Sequence, residues 1–385
     1  MQYTEYELGE LLPFEQPTAY IVKSTDYSDA YATPVLTAGK SFILGKTNET
    51  DGVFDQLPVI IFDDFTTATQ FVNFRFKVKS SAMKILHINT DLVIPKYIFY
   101  RLQIIQFDHS THKRYWIQSY SKIKVLIPPL DEQFRIVARI EELFSELDKA
   151  VDTLKTTKEQ LAVYRQAVLK DAFDNAQAMC ERFTPIEELL VMDRKGMSTG
   201  PFGTMLKKHE HKTTGVPMLG IENINSGKFI DGNKIFVTPE KAAELKSFAL
   251  KSGDIIISRS GTVGELCVVP PRMEGALLST NLMRVSLDCQ KVLPEYFIYL
   301  FQSKGIVLDQ VKELCKGSTR IFLNQTILKQ IQFPIPNVHE QLQIINTIES
   351  RLTFCDNIEK TVDTALAQAD AMRQSILKQA FEGKI

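Results

Sequence analysis

Three short stretches of this 385-residue chain carry side chains that do chemistry in other settings. His209-Glu210-His211 sets two imidazoles at i and i+2, on one side of a strand, which would suit a metal, but no third ligand accompanies them and the triplet reads as a solvated loop. Asp63-Asp64, followed by Lys77 or Lys79, has the order of a nuclease carboxylate–lysine pattern and reads here as a strand end beside a basic surface. Gly261-Thr262-Val263-Gly264 is a glycine-rich turn, too short for a phosphate loop and without the Lys that should follow. No glycine-rich cofactor loop follows a strand, and neither a methyltransferase aromatic–proline tetrapeptide nor a nucleophilic triad is present. The residues point to a chain that does no chemistry of its own. A stand-alone nuclease using Asp63, Asp64 and Lys77 is the enzymatic rival.

Binding residues are better represented. The net charge is −1, so any surface for nucleic acid must be local. DNA contact needs positive charge beside hydrogen-bonding side chains. Residues 109–124 contain no acidic residue and carry Lys113, Arg114, Lys122 and Lys124 with Tyr115 and Trp116. Lys316 and Arg320, flanking Gly317-Ser318-Thr319, form the counterpart later in the chain. Lys207, Lys208 and Lys212 lie within residues 203–214. Thr66 and Thr67, and then Arg259, Ser260 and Thr262, fall in polar turns beside strands. Each stretch also has the composition of an ordinary solvated loop.

The elements that must carry these residues are organised by a repeat. Residues 130–173 match residues 338–381 without a gap, with Glu132-Gln133 on Glu340-Gln341, Asp148 on Asp356, Arg165-Gln166 on Arg373-Gln374, and Ala172-Phe173 on Ala380-Phe381. About a third of the aligned positions are identical. Ile140, Leu147, Leu154, Leu161 and Val168 recur every seven residues, with Leu143 or Phe144, Val151 and Tyr164 between them. The second copy puts Ile348, Cys355, Val362, Ala369 and Ile376 in the same phase, a poorer seam at Cys355 and Ala369. This predicts two long helices with an a/d-type apolar seam, each on the order of 60–70 Å long. Asp131 is placed to cap the first, where acidic residues favour the helix dipole. A seam of that length needs a partner, and the other copy is the nearest one. Two ordinary amphipathic helices on separate cores fit the shared phase less well.

Between the helices lie β-rich stretches. Residues 20–22, 34–36, 59–62 and 71–78 read as strands in the first half, residues 93–103 as a helix entered through Pro95, and residues 121–127 as a last strand or turn. After a connector at residues 174–185 the pattern restarts, with strands at 217–219, 234–237, 254–257, 266–269 and 282–287 and a helix at 292–301. Pro95 and Pro294 correspond at an offset of 199, against 208 for the helices, so the globular parts differ by insertions. The expected domains are 1–129 and 179–337, with helices at 130–178 and 338–385. The length supports two to three domains. Five dispersed cysteines without a CxxC pair read as reduced thiols in a cytoplasmic protein, and no signal peptide or membrane-length apolar run is present.

Residues 127–133 (IPPLDEQ), 140–148 (IEELFSELD) and 164–170 (YRQAVLK), with Pro336, Glu340-Gln341 and residues 373–383 (RQSILKQAFEG), resemble the specificity subunit of type I restriction–modification enzymes. Gly200-Pro201-Phe202-Gly203 and residues 258–264 (SRSGTVG) resemble the target recognition domains of that family. The resemblance covers the whole chain, though this sequence enters the first domain with almost no leader. It implies an α+β fold in which two mixed α/β target recognition domains, related by a pseudo-two-fold, are separated by two antiparallel coiled-coil helices. It also implies that each domain reads half of a bipartite site in double-stranded DNA and that the helices set the spacer. Two modification subunits would bring S-adenosylmethionine and adenine methylation, and restriction subunits Mg and ATP-driven translocation, so this chain would hold no cofactor. A coiled-coil scaffold with protein-binding ends is the non-DNA rival.

Overall fold

Short apolar runs, some stopped by glycine, proline or aspartate, fold as paired strands because none is long enough to bury a helical face. The computed structural model describes residues 3–38, 41–108, 114–180, 183–259, 263–303, 305–315 and 322–385. The chain divides into two units, residues 1–155 with 363–385, and residues 156–362. Each long helix is therefore shared between units.

The first unit runs β1 (Thr4–Glu7), α1 (Leu8–Leu11), β2 (Phe14–Glu15), β3 (Thr33–Leu36), β4 (Ile43–Thr47), β5 (Val59–Asp63), β6 (Thr69–Val72), β7 (Lys77–Val78), β8 (Met83–Leu86), α2 (Pro95–Leu102), α3 (Tyr115–Gln118) and β9 (Lys124–Ile127). It then takes the start of α4 (Leu130–Met179). Its sheets are β2-β8-β5-β6, β4-β3-β7 and the pair β1-β9. β5 is buried along its whole length, and Phe62 from it packs on Trp116 and Tyr120 at ring distances of 4.9 Å.

The second unit takes the end of α4 and continues through β10 (Phe183–Pro185), β11 (Met197–Thr199), β12 (Val216–Leu219), β13 (Ile224–Asn225), β14 (Lys228–Phe229), β15 (Ile235–Val237), α5 (Pro239–Glu244), β16 (Ile255–Ser258), β17 (Leu266–Val268), β18 (Leu277–Leu278) and β19 (Leu282–Val285). α6 (Pro294–Gln302), α7 (Ile306–Leu314), α8 (Gln325–Gln330), β20 (Gln332–Pro334) and the start of α9 (Val338–Phe381) complete it. Its sheets are β11-β19-β16-β17, β15-β12-β18 and β10-β20, the same plan as the first unit's, including one parallel pairing in each three-stranded sheet. The β13-β14 hairpin is an addition.

Several expectations need correction. Residues 20–22 form no strand: Pro17 starts a 3-10 turn to Tyr20, and only an isolated bridge from Ile21 to Val78 follows. Residues 71–78 split between β6 and β7, in different sheets. The connector at 174–185 begins as helix, because α4 runs on to Met179, and ends in β10. Asp131 lies inside the first turn of α4, since the carbonyl of Pro129 already accepts from the N–H groups of Glu132 and Gln133. The side-chain cap is on the other helix. Asn337 accepts from the N–H of Glu340 at 3.0 Å, and Glu340 accepts from the N–H of Asn337 at 3.1 Å, a capping box.

Within each unit the two helices run antiparallel. In the first, Ile140 packs with Leu377 and Ala380, and Arg373 pairs with Asp148 while covering the Phe144 ring at 4.8 Å. In the second, Arg165 pairs with Asp356 at 2.6 Å and Glu359 at 2.9 Å. Asp148–Arg373 and Asp356–Arg165 are the same pair at the repeat offset. Burial works against the Arg165 charge, but the two carboxylates hold its pKa above the ordinary value. Cys355 and Ala369 are as buried as the rest of the seam, so the smaller residues leave no exposed gap. Tyr164 is exposed, and Arg165 takes the flank of the seam instead. Each helix ends on the α2 or α6 of its unit: the Phe381 ring lies 5.2 Å from Tyr97, and the Phe173 ring 5.3 Å from Tyr296.

Candidate nucleic-acid interface

In both units a polar residue anchored by backbone hydrogen bonds follows the central strand of the four-stranded sheet. After β5, Asp63 accepts from the N–H groups of Phe65 and Thr66 at 2.9 and 3.3 Å, and the N–H of Thr67 bonds the carbonyl of Asp63. Thr67 has φ +58, a left-handed backbone unfavourable for a β-branched residue. The next residue, Asp64, ties in a second segment. Its carbonyl accepts from the N–H of Tyr115 at 3.0 Å and its Oδ1 from that of Trp116 at 2.9 Å. Arg114, which precedes α3 and is exposed, is thereby brought to the edge that carries Thr66 and Thr67. Asp64 itself is buried on Lys84, whose Nζ lies 3.3 Å away and 5.4 Å from the centre of the half-exposed Phe14 ring.

After β16 the same position is held by Arg259. Its carbonyl accepts from the N–H of Leu323 at 3.2 Å, as that of Asp64 does from Tyr115. Its Nη1 donates to the carbonyl of Thr280 at 3.1 Å, and its guanidinium lies 5.4 Å from the centre of the Phe202 ring, which is 51% exposed. Thr280 in turn donates to the carbonyl of Pro201 at 2.8 Å. Gly200 allows this approach, because a Cβ there would lie 2.1 Å from the carbonyl oxygen of Ser279. Phe202 and Arg259 are thus brought together, although they lie 57 positions apart in the chain. Burial pushes the Arg259 guanidinium below its ordinary pKa, yet an arginine stays charged at neutral pH. A cation held beside an exposed ring can bond phosphate or the acceptors of a base edge.

Lys207 and Lys208 are exposed. The hydrogen bonds described there tie the backbone of Lys207 to Glu210 at 2.6 Å, not to Arg259. Glu210 bonds Lys241 at 2.8 Å, and this contact first, with the Lys207 N–H, holds its carboxyl below the ordinary range. Among the described residues no three His, Cys, Asp or Glu are grouped to hold a metal. Lys113, Ser260, Thr262, Lys316 and Arg320 lie outside the described residues.

The carboxylate–lysine set of the nuclease reading is not assembled. Lys77 is buried on Glu49 at 3.1 Å and on the carbonyl of Asp51 at 2.5 Å, while Asp63 and Asp64 serve their own turns. Sequence reasoning missed Phe14, Lys84 and Thr280. Only Phe202 carried a signal, through the glycines that flank it.

A family model described as the type I restriction modification DNA specificity domain matches residues 202–368. The chain is 31% identical over 366 residues to the EcoR124I/EcoR124II specificity subunit of Escherichia coli, covering 91% of this chain and 87% of that one. It is 27% identical to the EcoKI specificity subunit of Escherichia coli strain K12, over 69% of this chain and 59% of that one. Among solved structures, one described as a type I R-M system in complex assembly and conformational transition superposes with a TM-score of 0.69 at 15% identity, covering 100% of this chain and 98% of that one. The HsdS subunit of Thermoanaerobacter tengcongensis gives 0.52 at 15% identity, covering 100% and 97%.

Proposed function

Because the chain belongs to the specificity subunits of type I restriction enzymes, we propose that its two globular domains each read one half of a bipartite DNA site while its helix pair fixes the spacer between them. The observation that carries this reading is a constant frame with variable edges. Both units share sheet order, helix-end aromatic contacts and an anchored residue after the central strand. There one unit presents Thr66, Thr67 and Arg114 beside a locked Asp64, and the other presents Arg259 on Phe202. Equal frames with unequal edges suit equal tasks on unequal sequences.

The role is non-catalytic. S-adenosylmethionine, Mg and ATP belong to two modification subunits and to restriction subunits that assemble on this chain in the cytoplasm. Matched clefts support two copies of one partner: about 670 Å³ beside Arg165, Tyr299 and Asp356, and about 620 Å³ beside Arg373, Tyr100 and Asp148. Replacing residues 1–129 with the first domain of another specificity subunit should change one half of the methylated motif and leave the other half and the spacer intact. A change in both halves would refute independent reading.

A further inference from the structure

Gln133 and Gln341 are fully buried in the first turns of α4 and α9, and each makes the same three bonds to backbone. The Gln133 side-chain N–H groups donate to the carbonyls of Leu92 at 3.0 Å and Pro128 at 2.9 Å, and its carbonyl accepts from the N–H of Ile94 at 2.8 Å. The Gln341 side chain donates to the carbonyls of Lys291 and Pro336, both at 2.8 Å, and accepts from the N–H of Leu293 at 2.8 Å. Ile94 and Leu293 are the extended residues before the proline that opens α2 and α6, with ψ of 134 and 135.

These bonds join three pieces of chain: the long helix, the strand that leads into it, and the entry to the α2 or α6 of the recognition domain. They also cross the place where the repeat offset changes. The helix and strand partners correspond at 208 residues, whereas Leu92 to Lys291 and Ile94 to Leu293 correspond at 199. The chain between clamp residue and domain differs by nine residues in the two halves, 39 against 48 from Gln to the N–H it accepts from. The contact is the same to within 0.2 Å despite that difference. A primary amide offers two donors and an acceptor in one plane. Glu lacks the donors, Leu lacks all three groups, and Asn is a methylene short. In a dry junction, removing the amide leaves backbone groups with no partner.

We propose that Gln133 and Gln341 are positioning residues that hold each recognition domain in one orientation on its long helix, and so hold the two half-sites at one separation. The inference rests on the bipartite reading above. It assigns spacer fidelity to two buried amides outside the DNA-facing edges, in addition to helix length.

The test is to co-express the full chain with its modification subunit and map methylated adenines on a DNA library of both half-sites at graded separations. The parent should methylate one separation. Gln133→Leu and Gln341→Leu should each leave both half-sites unchanged while discrimination against a spacer one base pair longer or shorter falls by on the order of tenfold, the scale of one buried hydrogen bond. Gln133→Asn, which keeps the amide but is a methylene short, should relax the spacer less and serves if the Leu variant fails to assemble. Amide exchange at Ile94 for Gln133 variants, and at Leu293 for Gln341→Leu, reports clamp loss directly. If the variants methylate less but keep the parent's single spacer while Ile94 exchanges faster, the positioning role is overturned and the bipartite reading stands. If the parent shows no preferred separation, that reading falls instead.

Discussion

Arg259 combines features expected of a reader: a charge that donates to the Thr280 carbonyl and lies beside an exposed ring, in a place where Gly200 lets residues 200–203 approach Ser279. Arg259→Ala should weaken methylation through the half-site of the second domain, by about 1–3 kcal/mol if it reads a base edge. Arg259→Lys keeps the charge and loses the fork, so it should recover phosphate contact and not discrimination. Methylation rates on single-base variants of each half-site measure both. An equal loss across all base variants assigns Arg259 to phosphate alone. Phe173 is a structural residue by contrast. It is buried on Tyr296, and Phe173→Ala should cost about 3–5 kcal/mol in denaturant unfolding without changing the motif. The Arg259 stretch stood out in the sequence because glycines and hydroxyls mark turns. Its partners did not, because Thr280 and Phe202 lie far from it in sequence and a carbonyl acceptor leaves no trace in residue type.

At the level of elements the long helices were the most readable part. A seven-residue seam repeated at a constant offset survives any local ambiguity, and the seam positions Ile140, Leu161, Val168, Ile348, Cys355 and Val362 are all buried. The strands were readable where runs were continuous, as in β5 and β16, and misread where one run served two sheets, as in residues 71–78. Residues 20–22 show proline outweighing β propensity. The gapless match and the antiparallel pairing within each unit give the helix length its meaning. Seven residues added to both helices in matched register preserve the seam and add about 10 Å of helix, the rise of about three base pairs. Such a variant should methylate a longer spacer with both half-sites unchanged. An unchanged spacer would mean that something other than the helices sets it. The Arg165 pairs are half exposed, so Arg165→Ala should cost about 1 kcal/mol or less, shrinking as salt rises.

On the proposed reading, two domains of one plan recognise different sequences and leave chemistry to other subunits. The purified chain with S-adenosylmethionine should then transfer no methyl group to DNA, and its DNA binding should weaken steeply with salt as phosphate contacts do. The most direct test is a map of methylated adenine in cells expressing this chain with its modification subunit. The account predicts one motif of two different half-sites at a single fixed separation, lost when this chain is deleted. A continuous motif, or methylation that persists unchanged without this chain, would contradict it.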